Sequence, residues 1–446
     1  MSKQDKKELR QQIACEWLEE NYLQFGSLRH DVVTDRLQIR MADSLEDASL
    51  QNAPEGLQFR GKENWRNLTD KDINTMVCQC VAEKGVNIST NEMWTALKSD
   101  MVPAVHPLRA WLDGLRPYTA DQPDWIDLVA QQVRVKPSGE EAKGDKARGE
   151  ELWRACFKKW FVAMVASWMK DEVVNHTVLV LVGRQGIFKT TWLDKLIPPE
   201  LRAYSSKLPL SGQISKDDRL RLCENGMLNI DELDAMCGRE MNIVKSLLTS
   251  TDVNERAAYG RLKERRVRLA SFCASTNKRE FLTDITGNRR WLPFEVESIQ
   301  NPFHTIIPYE RLYAQAKALV EEGIFSYWFD MEEMEVLEAH NEEFRALENE
   351  EQLLPILFDI PAEGKGEFMT TAEISDRLVS HGRIKKPMST RQLGVIMGKM
   401  GFQKAQVRIS GTCVRGWIVY KRDQDEITSA KRIGASDALM QRCDTY

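Results

Sequence analysis

The 446-residue sequence lacks a long apolar run. Crossing a bilayer takes about 20 consecutive apolar residues, and no stretch of the chain approaches that length. The first residues, MSKQDKKELRQQ, contain no apolar segment of the kind that forms the core of a signal peptide. These absences argue against a membrane-spanning protein and predict a cytoplasmic one with no membrane partner.

Signs of a disulfide framework and of a metal centre are also missing. The sequence has nine cysteines and six histidines, and no two cysteines form a CxxC pair. An odd number of cysteines in a long chain does not suit a disulfide-stapled fold. Structural zinc needs closely spaced ligands. We therefore expect neither disulfides nor zinc.

Acidic residues are absent from one region of an otherwise acidic chain. The formal net charge is −5, yet residues 377–422 contain eleven Lys or Arg and no Asp or Glu. Such a local excess of positive charge favours binding to a polyanion.

The sequence divides into four regions. Residues 1–149 carry mainly helical patterns and end in a polar, glycine-containing linker at 136–149. One of these patterns, DKDINTMVCQCVAEKG, predicts a helix that ends at Gly85 as its C-terminal cap. Residues 150–330 alternate short apolar runs with helical patterns, which predicts a three-layer α/β domain. Residues 331–424 contain an acidic helical connector and a small basic domain, and residues 425–446 are expected to form a flexible tail.

Short runs rich in β-branched residues mark the strands of the central region. Continuous apolar runs of this length are expected of strands buried on both faces of a parallel sheet. The predicted strands are Thr177–Val182, Gly226–Ile230, Arg266–Ser275 and Arg290–Val296.

The small basic domain has the element order of a winged helix. Two helical patterns open with capping boxes, Thr370 with Glu373 and Ser389 with Gln392. Two extended runs follow, FQKAQVRI and CVRGWIVYK, joined by a short turn around Gly411. Two helices followed by a hairpin predict a winged-helix-like fold.

The segment VGRQGIFKTTW, residues 182–192, has the outline of a phosphate-binding loop. A strand, a loop with inward-pointing N–H groups and a helix N-terminus together form an anion site. Lys189 would reach the β- and γ-phosphates of ATP, and Thr190 would ligate Mg²⁺. The alternative is an ordinary strand-to-helix turn with a lysine at the helix start. The predicted nucleotide-binding residues are Gly183, Gln185, Gly186, Ile187, Phe188, Lys189, Thr190 and Thr191.

Phe188 departs from the usual motif, which has a glycine directly before the lysine. Glycine lets the backbone approach the phosphates closely. A side chain at this position is compatible with the site if its backbone is helical and its ring packs back against the sheet or the preceding helix.

Polar residues follow two other predicted strands, where an α/β fold places its ligands. Asp231 would hold Mg²⁺ through water, and Glu232 would polarise the attacking water. Asn277 stands where a polar side chain would sense the γ-phosphate. In isolation, the alternatives are a solvated acidic turn and a capping asparagine.

Two arginines, Arg289 and Arg290, precede the last predicted strand. A planar guanidinium suits the transition-state charge on a nucleotide held by a neighbouring subunit.

A basic hairpin lies between the acidic pair and the asparagine. Residues Glu255–Tyr259 are predicted to pair with Arg265–Leu269, with Arg261 and Lys263 at the tip. Its basic residues are candidates for binding polynucleotide phosphates, the alternative being a solvated charged hairpin. They are Arg256, Arg261, Lys263, Arg265, Arg266 and Arg268.

Taken together, these motifs resemble the virulence-associated E family of phages and other mobile elements. That family is related to superfamily 3 helicases and to the helicase half of poxvirus-type primase-helicases. The resemblance rests on LVLVGRQGIFKTTW, NIDELD, VKSLLTSTDVNERAAYGR, CASTNK and DITGNRRWLPFEV. It extends over about residues 20–422 and is most specific over residues 177–297.

The resemblance implies an AAA+ type P-loop ATPase that assembles as a ring, a hexamer, with ATP and Mg²⁺ between subunits. Lys189 and Thr190 match the Walker A motif of the family, and Asp231 and Glu232 match Walker B. An aromatic residue before the lysine is associated with a subgroup of the family.

Further positions match the family downstream. Asn277 matches sensor 1, and Arg289 or Arg290 matches the arginine finger. Residues Lys245–Lys263 match the additional motif of superfamily 3, whose hairpin lines the central pore. Because the first 150 or so residues carry no paired-carboxylate signature of nucleotidyl transfer, a primase partner would be a separate chain.

The predicted function is a DNA-dependent ATPase and replicative helicase of a mobile genetic element. The ring would translocate on single-stranded DNA in its pore, and the C-terminal domain would hold duplex DNA through Lys385, Lys386 and Arg391. The alternative is a nucleotide-dependent DNA-binding or regulatory factor, acting in replication initiation or interference with slow or no hydrolysis. The arginine pair and the basic hairpin disfavour a metabolic kinase.

Overall fold

The chain folds as two units of mixed α/β structure. The first unit comprises Met1–Asn277 and Trp291–Glu333, and the second comprises Lys278–Arg290 and Met334–Tyr446. The computed structural model describes residues 3–40, 65–137, 146–208, 215–231, 233, 238–255, 264–282, 288–347, 349–362, 366–382, 384, 387–409, 412–423 and 425–428.

The N-terminal part of the first unit surrounds a small sheet with helices. The sheet has the order β3-β2-β1-β4, with β1 antiparallel to β2 and parallel to β4. The elements are α1 (Lys3–Leu18), β1 (Leu28–Asp31), β2 (Arg36–Arg40), β3 (Trp65–Asn67), α2 (Asp70–Lys84), α3 (Thr90–Leu97), β4 (Ala104–Val105), α4 (Pro107–Asp113) and α5 (Trp125–Ala130).

Capping residues set the ends of the predicted helix α2. Thr69 and Asp72 form a capping box at its start, and Gly85 ends it in the left-handed conformation, with φ 66°. Glycine adopts that conformation without the steric cost of a Cβ atom. The prediction that this helix ends at Gly85 is confirmed.

A larger, mainly parallel sheet forms the rest of the first unit. Its order is β5-β12-β6-β11-β8-β7, and only β5 runs antiparallel to its neighbour. The elements are β5 (Val133–Val135), α6 (Lys146–Met169), β6 (Val178–Val182), α7 (Lys189–Asp194), β7 (Ser205–Lys207), α8 (Lys216–Glu224), β8 (Met227–Ile230), α9 (Gly238–Thr249), β9 (Asp252–Glu255), β10 (Glu264–Val267), β11 (Ser271–Thr276), β12 (Trp291–Ile299) and α10 (Tyr309–Glu322).

The apolar composition of β6 and β11 explains why these strands lie in the centre of the sheet. All five residues of β6 are buried, as are all six of β11. Continuous apolar runs are expected where helices cover both faces of a parallel sheet. The prediction of an α/β domain with parallel strands is confirmed. The last residues of the predicted linker, 136–149, are helical, because α6 starts at Lys146.

Tryptophans of α6 tie this helix to the sheet. The indole N–H of Trp160 donates to the carbonyl of Phe272 at 2.9 Å, and that of Trp168 donates to the carbonyl of Gly226 at 3.1 Å. A Cβ atom at Gly226 would lie 2.7 Å from the Trp168 ring, so that only glycine fits there. Each large ring is thus buried with its polar atom satisfied.

A buried carboxylate joins the small sheet to the larger one. Asp31 is fully buried and accepts hydrogen bonds from the hydroxyl of Tyr204 at 2.9 Å and from the backbone of Val33 at 2.9 Å. The guanidinium of Arg266 donates to the Val33 carbonyl. Residues from both ends of the first unit therefore share one hydrogen-bond network.

The prediction of a single strand over Arg266–Ser275 is wrong. The structure has two strands, β10 and β11, which are separated at Arg268. The side chain of Arg268 is fully buried and donates to the carbonyls of Leu248 and Asn175, each at 2.7 Å. The strand breaks because this side chain turns into the protein, where it pairs with the last turn of α9.

The pairing predicted for the basic hairpin is shifted. Asp252–Glu255 pairs with Glu264–Val267, so the first strand ends where the predicted one begins. Val253 is buried, which anchors this register. The predicted tip, with Arg256, Arg261 and Lys263, lies outside the described residues.

The second unit contains the predicted helix pair and hairpin. Capping boxes at Thr370 and Ser389 are present, and β15 and β16 pair antiparallel; Gly411 lies outside the described residues. Strand β16 pairs also with β13 and β14. The elements are α11 (Met331–Asn341), α12 (Asn349–Leu357), β13 (Phe358–Asp359), β14 (Glu367–Met369), α13 (Thr371–Gly382), α14 (Thr390–Lys399), β15 (Gln403–Ile409) and β16 (Thr412–Lys421).

The end of the second unit differs from the expected flexible tail. Ile427 is buried in the core of the unit, against side chains such as Leu354 and Val419. The predicted tail, residues 425–446, therefore begins inside the fold, and residues 429–446 lie outside the described part of the chain. Among the helices of the described residues, none is long and apolar enough to span a bilayer.

The buried position of Arg268 generates a stability prediction. Replacing Arg268 with Met should lower the free energy of unfolding by at least about 3 kcal/mol, because several buried carbonyls lose their donor. The same change at Arg265, whose side chain is 77% exposed in its ion pair with Asp252, should cost less than about 1 kcal/mol. Chemical denaturation followed by circular dichroism measures both. Equal effects would contradict the buried role of Arg268.

Candidate functional site

The candidate site lies at the carboxyl ends of three neighbouring parallel strands. Val182, the last residue of β6, is paired with Thr276 of β11, and Ile230, the last residue of β8, is paired with Ala274. Because the strands end close together, the loops that follow them leave from one edge of the sheet. Ligands of open α/β folds bind at such an edge.

Lys189 is the centre of the first cluster at this edge. Its side chain is 7% exposed, and the ammonium donates to the carbonyls of Gly183 and Arg184, each at 2.7 Å. It also donates to Oδ1 of Asn277 at 3.1 Å. Two residues predicted separately, from the loop and from the end of β11, therefore meet.

Thr190 belongs to a second cluster with Asp231. The Thr190 hydroxyl lies 2.9 Å from that of Ser275 and donates to Oδ1 of Asp231 at 3.3 Å. The Ser275 hydroxyl also donates to Asp231, at 3.3 Å. Sequence reasoning missed Ser275, although alternation along β11 puts it on the same face as Asn277.

Lys207 is a further residue that sequence reasoning missed. At the end of β7, its ammonium lies 2.6 Å from Oδ2 of Asp231. Partial burial raises the pKa of Asp231, but Lys207 and the hydroxyls of Ser275 and Thr190 outweigh that effect, so that the pKa lies below its ordinary value. The carboxylate is therefore ionised at neutral pH.

Two glycines shape the loop that surrounds Lys189. A Cβ atom at Gly183 would lie 3.1 Å from the Val296 carbonyl and 3.1 Å from Ile187, and the φ angle of Gly183 is +154°. Gly186 has φ +85°. Both angles belong to regions that glycine adopts far more readily than other residues, so the loop requires its glycines.

Phe188 has the backbone of a glycine position. Its φ and ψ angles are 68° and 17°, in the left-handed region, and it caps α7 at its N-terminus. The right-handed helical backbone that would make a side chain compatible with the site is therefore not the one found here. The ring lies against Phe303, in the loop after β12, with centroids 6.2 Å apart and ring planes at 79°.

Comparison with known families identifies the region that contains these clusters. Residues 145–346 match the model of the virulence-associated protein E-like domain. Residues 145–346 are thus similar to that domain over somewhat less than half of the chain. The family resemblance expected from the sequence is confirmed.

Similarity to solved structures is more distant. Two apo structures of the NrS-1 C-terminal region (305–718) have 11% sequence identity each. The first covers 89% of this chain and 97% of its own, with a TM-score of 0.42. The second covers 91% and 99%, with a TM-score of 0.43. A likeness at this level identifies neither an activity nor a ligand. No curated protein matches the chain significantly.

Two arginines of the matched region belong to the second unit. Arg289 and Arg290 lie in a short 3-10 helix, Asn288–Arg290, where Arg289 is exposed and Arg290 is half-buried. Their predicted role stays a prediction. Glu232 lies outside the described residues.

The basic residues of the hairpin do not share one environment. Arg265 is exposed and pairs with Asp252 at 2.7 Å. The side chain of Arg266 is 12% exposed and pairs with Glu224, and Arg268 is fully buried. Counting Arg266 and Arg268 among residues that contact phosphates is therefore wrong, because both serve the interior of the first unit.

A basic groove lies in the second unit, outside residues 145–346, which match the family model. It has a volume of about 810 Å³ between α14 and the β15–β16 hairpin. Among the residues that the structure describes, its lining includes four cationic side chains and no acidic one. The lining residues are Thr390, Arg391, Gly394, Val395, Gly398, Lys399, Lys404, Arg415 and Trp417.

Packing around Trp417 fixes the shape of this groove. The Trp417 indole N–H donates to the Thr371 hydroxyl at 3.0 Å, and the ammonium of Lys404 lies 5.6 Å from the ring centroid. Cβ atoms at Gly394 and Gly398 would lie 3.7 and 3.8 Å from the same ring, which is ordinary contact. Of the predicted DNA-binding residues here, Arg391 lines the groove, whereas Lys385 and Lys386 lie outside the described residues.

The backbone of Phe188 leads to a reversed order of stability between two variants. At a left-handed position glycine is favoured over alanine by about 1 kcal/mol. Phe188→Gly should therefore be more stable than Phe188→Ala by about that amount. At the neighbouring Ile187, which has no positive φ, Ala should be the more stable variant. Thermal or denaturant unfolding of the four variants measures the order, and Ala above Gly at position 188 would contradict the left-handed backbone.

Proposed function

We propose that the chain is a DNA-dependent ATPase with an AAA+ type P-loop core, acting as a helicase in the replication of a mobile genetic element. The observation that supports this most directly is the meeting of Lys189 with Asn277 and of Thr190 with Asp231 at one edge of the sheet. These residues are far apart in sequence, and the resemblance assigns each of them to ATP binding.

The two clusters suit the two parts of Mg·ATP. Lys189 supplies a cation inside a glycine-shaped loop and would hold phosphate oxygens, with Asn277 beside it. Thr190 and Asp231 present hydroxyl and carboxylate oxygens, which Mg²⁺ prefers. Bound ATP supplies the phosphoanhydride bond that is hydrolysed. The ionised state of Asp231 suits a ligand of Mg²⁺, directly or through water.

Assembly of the chain as a ring remains part of the proposal. In a hexamer the exposed guanidinium of Arg289 would reach the nucleotide of a neighbouring copy and stabilise charge in the transition state. Arg290 is the second candidate. The hairpin of β9 and β10 would line the pore, with Arg265 facing single-stranded DNA.

The basic groove of the second unit supports a second DNA contact. Arg391, Lys399, Lys404 and Arg415 line it without an acidic neighbour in the described lining, although Lys399 pairs with Glu342 at 2.9 Å. Winged-helix-like domains present a helix and a hairpin to duplex DNA, and α14 with the β15–β16 hairpin has that order. Phosphate binding at this groove would be largely independent of sequence.

Phe188 favours the alternative function, a nucleotide-dependent DNA-binding or regulatory factor with slow or no hydrolysis. A side chain at a left-handed position of the loop adds bulk where the usual motif has glycine. Binding of ATP without measurable turnover would support this alternative.

Removing the Lys189 side chain tests the proposed ATPase. Lys189→Ala should lower single-strand-stimulated ATP hydrolysis at least about 100-fold, as is found when a charge-stabilising donor is removed from an active site. Phosphate release with and without single-stranded DNA measures the rate. Lys71→Ala, an exposed lysine of α2, is the control and should leave the rate unchanged.

Two results would count against the motor. Turnover that survives in folded Lys189→Ala protein would exclude this loop as the active site. Tight ATP binding by the unchanged protein with no turnover on any DNA would favour the regulatory alternative. Circular dichroism of each variant separates these results from loss of fold.

Charge reversal tests the groove separately. The variant Arg391→Glu, Lys404→Glu, Arg415→Glu should bind duplex DNA more weakly. The slope of log affinity against log salt should fall by about 0.9 for each phosphate that the variant no longer neutralises. Fluorescence anisotropy at several salt concentrations measures both quantities.

A control variant with the same change in net charge distinguishes DNA binding in the groove from attraction of DNA by the overall charge of the protein. It carries three reversals at exposed lysines of the first unit, namely Lys6→Glu, Lys7→Glu and Lys71→Glu. Its salt slope should match that of the unchanged protein. Equal loss of affinity in both triple variants would mean that the groove does not bind the DNA.

A further inference from the structure

Phe303 is an exposed aromatic side chain beside the phosphate loop. It follows β12 in the first unit and is 68% exposed. Single exposed apolar side chains are common and mean little alone. This one, however, contacts Phe188, the residue directly before Lys189, with ring centroids 6.2 Å apart.

The loop that carries Phe303 is anchored on both sides. Before it, the backbone of Gln300 donates to the Gln132 carbonyl at 2.8 Å. After it, the hydroxyl of Tyr309 donates to the Lys195 carbonyl at 2.7 Å. The Asn301 side chain accepts from the backbone N–H of Phe303 itself at 3.0 Å. The position of the Phe303 ring is therefore fixed by a loop that hydrogen bonds anchor on both sides.

The side chain of Lys195 contacts both the backbone of this loop and the Phe303 ring. Its ammonium donates to the Pro302 carbonyl and lies 4.6 Å from the centroid of the Phe303 ring. A cation over an aromatic face is attracted by the ring quadrupole. Phe303 thus has Phe188 at one side and a cation above it, while most of its surface is open to solvent.

We propose that Phe303, supported by Phe188, stacks on the base of the nucleoside triphosphate whose phosphates Lys189 holds. This inference rests on the proposed function, because it needs a triphosphate in the loop. The base of such a ligand is connected to the phosphates through the ribose, so that it lies near the loop residues. An aromatic ring that contacts the residue directly before Lys189 is a suitable platform.

Stacking on Phe303 predicts a particular kind of specificity. Every base has a π face, so an aromatic platform is tolerant of base identity and prefers larger ring systems. The site should therefore bind ATP and GTP more tightly than CTP or UTP. It should bind all four more tightly than inorganic triphosphate, which has no base.

Isothermal titration with Mg²⁺ and either ATP or inorganic triphosphate tests the inference. Phe303→Ala should weaken ATP binding about 5- to 100-fold, the range measured for loss of one base–aromatic stack. It should leave binding of inorganic triphosphate unchanged, and Phe303→Trp should keep ATP affinity. Ile306→Ala is the matched control, since Ile306 is 80% exposed in the same loop, and it should bind ATP as the unchanged protein does.

The possible failures are distinguishable. If the unchanged protein binds neither ATP nor triphosphate, the proposed function fails. If both bind and Phe303→Ala alters neither, the stacking site is wrong and the phosphate site stands. If Phe303→Ala weakens triphosphate as much as ATP, Phe303 only supports the loop through Phe188, and the stacking inference is overturned.

Discussion

The parallel pairing of β6 with β11 on one side and with β12 on the other is the constraint on which the candidate site depends. Val178 lies opposite both Phe272 and Trp291, and the three strands then run in step toward the same edge. All residues of β6 are buried, so a shift in register would disrupt side-chain packing on both faces of the strand. In this register the loop that carries Lys189 and the residue Asn277 leave the same edge of the sheet, where the two side chains meet.

Strand β11 joins this edge to the opposite end of the sheet. Its last residue, Thr276, precedes Asn277, which contacts Lys189. Its first residues follow Arg268, whose guanidinium donates to a carbonyl in the final turn of α9. Burial lowers the pKa of Arg268 to about 9, which still leaves the guanidinium charged at neutral pH. One strand therefore contacts the proposed nucleotide site at one end and the base of the basic hairpin at the other. In the proposed function, this strand would connect ATP hydrolysis with the hairpin.

The sequence predicted what local patterns determine. Gly85 and Ser389 mark helix ends through backbone chemistry that depends on neighbouring residues alone, and apolar runs marked the buried strands. It did not predict the environment of Arg268, because a charge count gives no information on burial. The hairpin register was missed for a similar reason. The burial of Val253, which depends on tertiary packing, favours the observed pairing.

Phe188 shows how a departure from a motif acquires a meaning only in three dimensions. In sequence, it is a missing glycine. In the structure it keeps the left-handed backbone of that glycine, at a cost of about 1 kcal/mol, and such strain persists where surrounding structure holds it. The contact with Phe303 offsets part of that cost, since aromatic pairs contribute about 0.5–1.5 kcal/mol beyond burial. A glycine at position 188 would relieve the strain but would remove the contact that supports the exposed Phe303 ring. Phenylalanine at this position therefore makes the loop less free to change conformation and adds an aromatic surface next to Lys189.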